Sequence, residues 1–503
     1  MPIDLGQGGI FLGRKLPIFY NALLLTGVNL LLRFAGTSFQ VYITGRIGAA
    51  GVGLLQLVLS VGMLALTAGI AGIRTATIYL AAEELGRKRP QNITWVLSGC
   101  FFYSILCSSV IAAALYFFAP QIALYWLGAR EAIPALRMLA GFLPVSCLCG
   151  VMSGYFTAAN RIGTLAAVGV AEQCLSMLLT FCALSLFAGS DPVRACQCVV
   201  LGSGIGSCLT LSVLIILRIK EKAPRGNRLP LAGKLYRTAV PLALADDLKS
   251  GISTAENLMV PKRLALFHGI DNPLATFGMI SGMVFPILMF PACILISLAE
   301  LLIPELARCN ASGSNIRIRY LVRRSLRVGM LYGFLLGGLL YLAAPWLCQA
   351  LYKHEEAGSL LRKFAFLVPM LYCDTITDAI NKGLGKQTAA MRINIVTAAL
   401  DVLFLFLLLP KHGVSGYYFS FLVTHLINFA LSVWLLTRTS GVRFSLRSPA
   451  LILPATGLCV LLSANLPLPF AISAFIALFF SIMTLTGILK KEDRHWIRGL
   501  VKK

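Results

Sequence analysis

Residues 21–70 read NALLLTGVNLLLRFAGTSFQVYITGRIGAAGVGLLQLVLSVGMLALTAGI. They carry most of two apolar runs, 19–43 and 52–81, each meeting the roughly 20 residues needed to cross the hydrocarbon core of a bilayer. A short glycine-rich turn carrying Arg46 separates the runs, and Arg33 interrupts the first. Outward from this stretch the pattern recurs at 95–118, 132–158, 163–187, 195–217, 238–260, 275–304, 325–350, 364–381, 388–410, 414–437, 449–466 and 468–489. About fourteen transmembrane helices are therefore expected, in an all-α polytopic membrane protein. A mean hydropathy of +0.82 with only 13% charged residues excludes a water-exposed surface over this length.

Charge supplies the orientation. The chain carries 44 Lys and Arg against 20 Asp and Glu, and the cations gather in alternate loops. With the N-terminus inside, thirty fall in the loops and tail of one side, among them Arg87, Lys88, Arg89 and the clusters of 218–237, 308–327 and 490–503. Nine fall on the other side. By the positive-inside rule both termini are expected in the cytoplasm of a cell membrane, which also requires an even number of spans. Topology thus accounts for the +24 net charge, and nucleic acid is not an expected partner. Residues 1–18 lack a small-residue cleavage site, so the first span is expected to be retained. Fourteen cysteines contain no CxxC pair and predict small apolar packing groups.

The longest basic linker divides the chain into an N-terminal lobe of spans 1–6 (1–217), a cytoplasmic linker (218–237), a C-terminal lobe of spans 7–12 (238–437) and an appended helix pair with a basic tail (438–503). Weak internal similarity supports a repeat: Glu84-Leu85-Gly86-Arg87 and Glu305-Leu306-Ala307-Arg308 both follow the second span of their half. Repeat-built transporters bind substrate near the bilayer midplane, so chemistry is sought there.

A charge in mid-membrane costs roughly 2.5–3.5 kcal/mol even on insertion scales, which makes it a functional candidate. Arg33 and Lys249 lie at similar depth in corresponding spans, either lining a polar cavity or pairing with a carboxylate. Arg74 lies nearer a span end, where it either snorkels to headgroups or lines the cavity. Carboxylates concentrate in the second half: Asp246, Asp247, Glu256, Glu300, Asp374, Asp378 and Asp401. Asp374, Asp378 and Asn381 form one helical stripe and Asn394, Thr397 and Asp401 another, with Thr424, His425 and Asn428 on the next span. These groups suit coupling to sodium or protons, with Asp374, Asp378 and Glu256 as candidate coupling carboxylates, or interhelical hydrogen bonds. Gly202-Ser203-Gly204-Ile205-Gly206-Ser207 lies within a span and reads as close helix packing, not a phosphate loop. Pro286 and Pro291 are expected to kink the eighth span.

At this point the residues resemble a known family. Leu32-Arg33-Phe34-Ala35-Gly36, the run Gly45-Arg46-Ile47-Gly48 to Gln56-Leu57, Ala68-Gly69-Ile70 and Ala81-Ala82-Glu83-Glu84-Leu85 look like the start of the stage V sporulation protein B group. These are polysaccharide-biosynthesis flippases of the multidrug/oligosaccharidyl-lipid/polysaccharide superfamily. The resemblance implies two six-helix lobes in a V plus a C-terminal helix pair, alternating access, a monomer, and transport of an undecaprenyl-pyrophosphate-linked saccharide. It implies a substrate-binding role for Arg33, whose Arg-x-x-Gly context with Gly36 matches an essential arginine of lipid II flippases; a second expected arginine is Phe39 here. It also implies a candidate sodium site at Asp246, Asn394 and Asp401.

The physical case stands beside the resemblance. A pyrophosphate leaving water needs charge-assisted donors, which Arg33, Lys249 and Arg74 supply. An inside-negative potential favours its outward movement by about 2.3 kcal/mol per charge per 100 mV, so no ATP site or other cofactor is expected. The partners expected are the lipid-linked saccharide and membrane lipids. The alternative is a cation-coupled drug antiporter of the same superfamily, which would rely on the carboxylates. An enzyme is not expected, because no outer loop is long enough to carry a catalytic domain.

Overall fold

The computed structural model describes residues 12–70, 72–87, 89–159, 161–188, 191–220, 232–442 and 447–488. Most of the 218–237 linker and the basic tail beyond 488 therefore lie outside the described residues. What is described is helical, without strands among the described residues. Each apolar run expected to span falls mainly on helix, and among the described residues eight helices are long and apolar enough to cross a membrane, or nine if one bent pair counts as a span. Two of the eight runs are about double length: Leu30–Leu85 has 56 residues and Gln387–Ser440 has 54.

Packing divides the chain into two compact units, Met1–Gly278 and Met279–Lys503. The first begins with α1 (Leu12–Ile70), broken at Gly48, where φ is 68° and ψ −179°. Then come α2 (Ile73–Gly86), α3 (Ile93–Gln121), α4 (Ile133–Ala158), α5 (Ile162–Ala183), α6 (Pro192–Ile219), α7 (Ala232–Leu264) and α8 (Pro273–Gly278). Pro192 enters α6 at its first turn, and the Asp191 side chain caps it by accepting from the Val193 N–H at 2.9 Å, a favourable pairing of cap and proline. Gly72 joins α1 to α2 in the left-handed conformation (φ 70°). A Cβ there would strike the Ala239 carbonyl of α7, so both dihedral and space select glycine.

Polarity is inverted relative to a water-soluble helix. On α3, Ser104 and Ser108 are fully buried while Phe102, Leu106, Val110 and Phe117 are exposed. Small polar residues thus sit between helices and bulky apolar ones face outward, as a lipid solvent demands. Ile73, Leu80, Leu97, Val151, Phe156 and Leu214 form a core of α2, α3, α4 and α6. The glycine cluster packs closely as its composition implies. Gly202 and Gly206 leave room for Thr180 and Ser176 of α5, and Gly204 for the Phe142 ring of α4.

Helix α7, expected to open the second lobe, packs in the first unit against α1 and α2. Its Thr254 hydroxyl donates to the Ser60 carbonyl at 3.1 Å, and Asn257 Nδ2 donates to Ser60 Oγ at 3.0 Å.

The second unit contains α9 (Phe285–Met289), α10 (Ala292–Ala311), α11 (Asn315–Tyr352), α12 (Glu355–Phe364), α13 (Val368–Gly383), α14 (Gln387–Ser440), α15 (Arg447–Ser463) and α16 (Leu468–Leu485). The expected kink appears between α9 and α10 as a 60° bend, at Phe290-Pro291. Proline removes a donor there, and two tyrosines satisfy nearby carbonyls: Tyr372 OH donates to Leu288 O and Tyr332 OH to Pro291 O, both at 2.9 Å. Helix α14 breaks at Gly413 (φ 53°). The α15–α16 pair packs on α11, with the Phe475 ring over Gly338, where a side chain would displace it.

Candidate functional site

Three helical faces enclose a cavity of about 1110 Å³ within the first unit. Helix α1 contributes Gln56, Ser60, Met63 and Thr67, α2 contributes Arg74 and Thr75, and α7 contributes Asp246, Lys249, Ser250, Ser253, Thr254 and Asn257. Apolar groups of α4 and α6, including Phe142 and Val200, close the remaining wall.

The α7 residues recur at 246, 249–250, 253–254 and 257, which is the spacing of one helical face. That polar stripe was legible in the sequence, yet attention to charge alone passes over its neutral members. Gln56 and Ser60 make the matching i, i+4 pair on α1.

Of the candidate cations, Arg74 and Lys249 both line this cavity, and Arg33 does not. Arg33 lies on the exposed face of the first arm of α1. Arg74 and Lys249 are exposed toward the cavity and make no hydrogen bond or ion pair among the described residues, as does Asp246. The wall therefore carries two cations and one carboxylate, a local excess of positive charge. Glu256, half-buried on α7, is not part of the wall.

In the second unit the carboxylates are tied into hydrogen bonds. Asp401, buried on the first arm of α14, accepts at Oδ1 from Ser420 Oγ at 2.6 Å and Thr424 Oγ1 at 3.1 Å. Asn428, on the second arm of α14, links α13 and the first arm of α14: its Nδ2 donates to Asp374 Oδ2 at 2.8 Å, and its Oδ1 accepts from Thr397 Oγ1 at 3.1 Å. Asp374 Oδ1 is buried without a hydrogen-bond partner, as is Asn381 Oδ1, while Asn381 Nδ2 donates to the Ser432 carbonyl at 3.1 Å. Asp378 points elsewhere and pairs with Lys382 at 2.6 Å, one turn on. The expected stripe thus splits, with Asp374 and Asn381 facing the second arm of α14 and Asp378 facing the surface.

The residues expected to hold sodium fall in both units. Asp246 belongs to the first unit, whereas Asn394, half-buried, and Asp401 belong to the second. No cluster of three His, Cys, Asp or Glu suited to a metal occurs among the described residues. All fourteen cysteines are free thiols.

Comparison with known proteins places this architecture. The MatE family matches residues 26–188. Stage V sporulation protein B of Bacillus subtilis (strain 168) is 22% identical over 409 residues, covering 79% of each chain. Among solved structures, the lipid II flippase MurJ in an inward closed conformation superposes with a TM-score of 0.72 at 12% identity, over 92% of this chain and 99% of that one. An inward-facing multidrug resistance MATE family transporter superposes with a TM-score of 0.62 at 14% identity, over 84% and 98%. The chain is similar in fold to the lipid II flippase and to the MATE transporter, and its residues 26–188 are similar to the MatE family. The MatE match includes Arg74 and the α1 wall of the cavity, and it stops short of α7.

Proposed function

We propose that this chain is a flippase of the multidrug/oligosaccharidyl-lipid/polysaccharide superfamily for an undecaprenyl-pyrophosphate-linked saccharide, a precursor of cell wall, spore cortex or other polysaccharide, in the cell membrane with both termini cytoplasmic. The observation that carries the reading is the cavity wall, where Arg74 and Lys249 face a shared space with neither engaged by a partner among the described residues. Unpaired cations in a partly desolvated site favour an anionic ligand, and the guanidinium fork matches phosphate geometry. An organic cation would meet two like charges there and one carboxylate, so the drug-antiporter alternative is disfavoured. Similarity in fold to a lipid II flippase over most of the chain supports this substrate class.

The proposal assigns coupling to the second unit. Asp374 and Asp401 occupy hydroxyl- and amide-lined sites in which a proton or sodium ion could be exchanged, and the membrane potential adds its own drive for outward movement of the anion. The test is translocation of a fluorescent polyprenyl-pyrophosphate-linked sugar in proteoliposomes, read as loss of accessibility to an impermeant reagent. Replacing both Arg74 and Lys249 by Ala removes two charge-assisted contacts of about 1.5–3 kcal/mol each. Transport is expected to fall at least a hundredfold. Unimpaired lipid-linked sugar transport by the double variant would refute the role of the two cations, and absence of that transport by the wild type, with efflux of an organic cation, would establish the antiporter instead.

A further inference from the structure

The cavity has two chemically different ends. Arg74, Asp246 and Lys249 gather at one. Farther along α7 in the direction of Asn257, and along α1 in the direction of Gln56, the polar wall is neutral: Gln56, Ser60, Ser253, Thr254 and Asn257. Lys249 and Asn257 are eight residues apart, about 12 Å along the helix axis. That is the length of one or two sugar rings. Among the described residues, no Lys, Arg, Asp or Glu lines this second end.

The neutral end is organised. Ser60 is fixed from three directions: its hydroxyl donates to the Gln56 carbonyl at 2.8 Å and accepts from Asn257 Nδ2 at 3.0 Å, while its carbonyl accepts from Thr254 Oγ1 at 3.1 Å. These bonds orient the Asn257 amide, leaving its Oδ1 outside them. The side chains of Gln56 and Ser253 make no hydrogen bond among the described residues. Amides offer a donor and an acceptor side by side, the pairing needed for a sugar's hydroxyl and N-acetyl groups. The apolar side chains of Leu59 and Met63 line the same cavity, suited to a ring's C–H face.

We infer that this end is a saccharide subsite, read by Gln56 and Asn257, and that it selects an uncharged sugar next to the pyrophosphate. The inference rests on the flippase reading above and narrows its substrate class. An acidic sugar would bring a carboxylate into a wall with no cation, where desolvation is not compensated. A neutral sugar keeps its hydrogen bonds.

The experiment measures binding to the full-length protein in detergent or nanodiscs by native mass spectrometry. Three probes are used: a polyprenyl pyrophosphate without sugar, the same lipid carrying N-acetylglucosamine, and the same lipid carrying a uronic acid. Wild type is expected to prefer N-acetylglucosamine over the uronic acid by at least tenfold. Gln56→Ala, at a position with no protein hydrogen bond to lose, is expected to weaken the N-acetylglucosamine lipid about three- to tenfold and to leave the sugar-free lipid unchanged. Gln56→Lys is expected to gain affinity for the uronic acid lipid. The subsite is overturned if Gln56→Ala weakens both neutral probes equally or neither, or if wild type binds the acidic sugar as well as the neutral one. The Arg74→Ala, Lys249→Ala double variant reports separately on the underlying reading. It should weaken all three probes, and if it weakens none, the flippase assignment itself fails whatever Gln56 does.

Discussion

Asn428 is the side chain on which the second unit's polar interior depends, and replacing it by Leu gives a measurable quantity. The substitution removes the 2.8 Å bond to Asp374 Oδ2 and the 3.1 Å bond from Thr397. A hydrogen bond to a carboxylate is worth about 1.5–3 kcal/mol in general, whereas interhelical bonds within membranes average about 0.6 kcal/mol and reach about 1.7. The carboxylate bond belongs at the upper membrane value. Thr397 also donates to the Ile393 and Asn394 carbonyls, so its loss adds little. Asp374 fares worse, because Oδ1 is already buried without a partner and Oδ2 would join it. The expected destabilisation is about 2 kcal/mol. A thiol-reactive dye in a detergent melt can follow it, since buried thiols such as Cys147, Cys348 and Cys373 react only on unfolding. The decisive form is a double-mutant cycle with Asp374→Leu. Removing both polar partners should recover most of the loss, giving a coupling of about 1.5 kcal/mol. Additive single-variant effects would refute the pairing as an energetic unit.

Three further outcomes follow from the geometry. Gly72→Val forces a branched side chain into a left-handed dihedral against the Ala239 carbonyl, and folded yield on size-exclusion chromatography should collapse; a variant that elutes normally would show that α2 and α7 do not pack as described. Tyr372→Phe strands the Leu288 carbonyl beside the bend, and the melt should shift by the equivalent of about 1–2 kcal/mol. Lys382→Ala removes a partly exposed, one-turn ion pair with Asp378, which should cost under about 1 kcal/mol and vanish in high salt.

The helices were legible because lipid imposes a length and an apolar composition on every span, and each expected run falls on helix. The break positions were legible where Gly48 and Gly413 interrupt double-length runs. Arg74 was not decidable from sequence, since a cation near a span end can reach either headgroups or a cavity, and only the position of α2 beyond the Gly72 turn sends it inward. Arg33 looked equivalent to Lys249 by depth, but depth says nothing about which way around the helix a side chain points. Helix α7 opens the second lobe by span count and by the basic linker before it, whereas its Thr254 and Asn257 bond it to Ser60 of α1, a pairing that span counting does not reveal.

The break at Gly413 has a consequence for biogenesis. Before it bends, α14 is one apolar length of 54 residues, about 80 Å if continuous, more than twice the hydrocarbon thickness of roughly 30 Å. Near the break only Lys411 and His412 mark where one arm should stop. An insertion machinery that released the first arm before the second had emerged would leave Asp401 in lipid without Ser420 and Thr424. The two arms are therefore best delivered to the bilayer as a preformed hairpin, with the polar interior assembled before lipid ever reaches it.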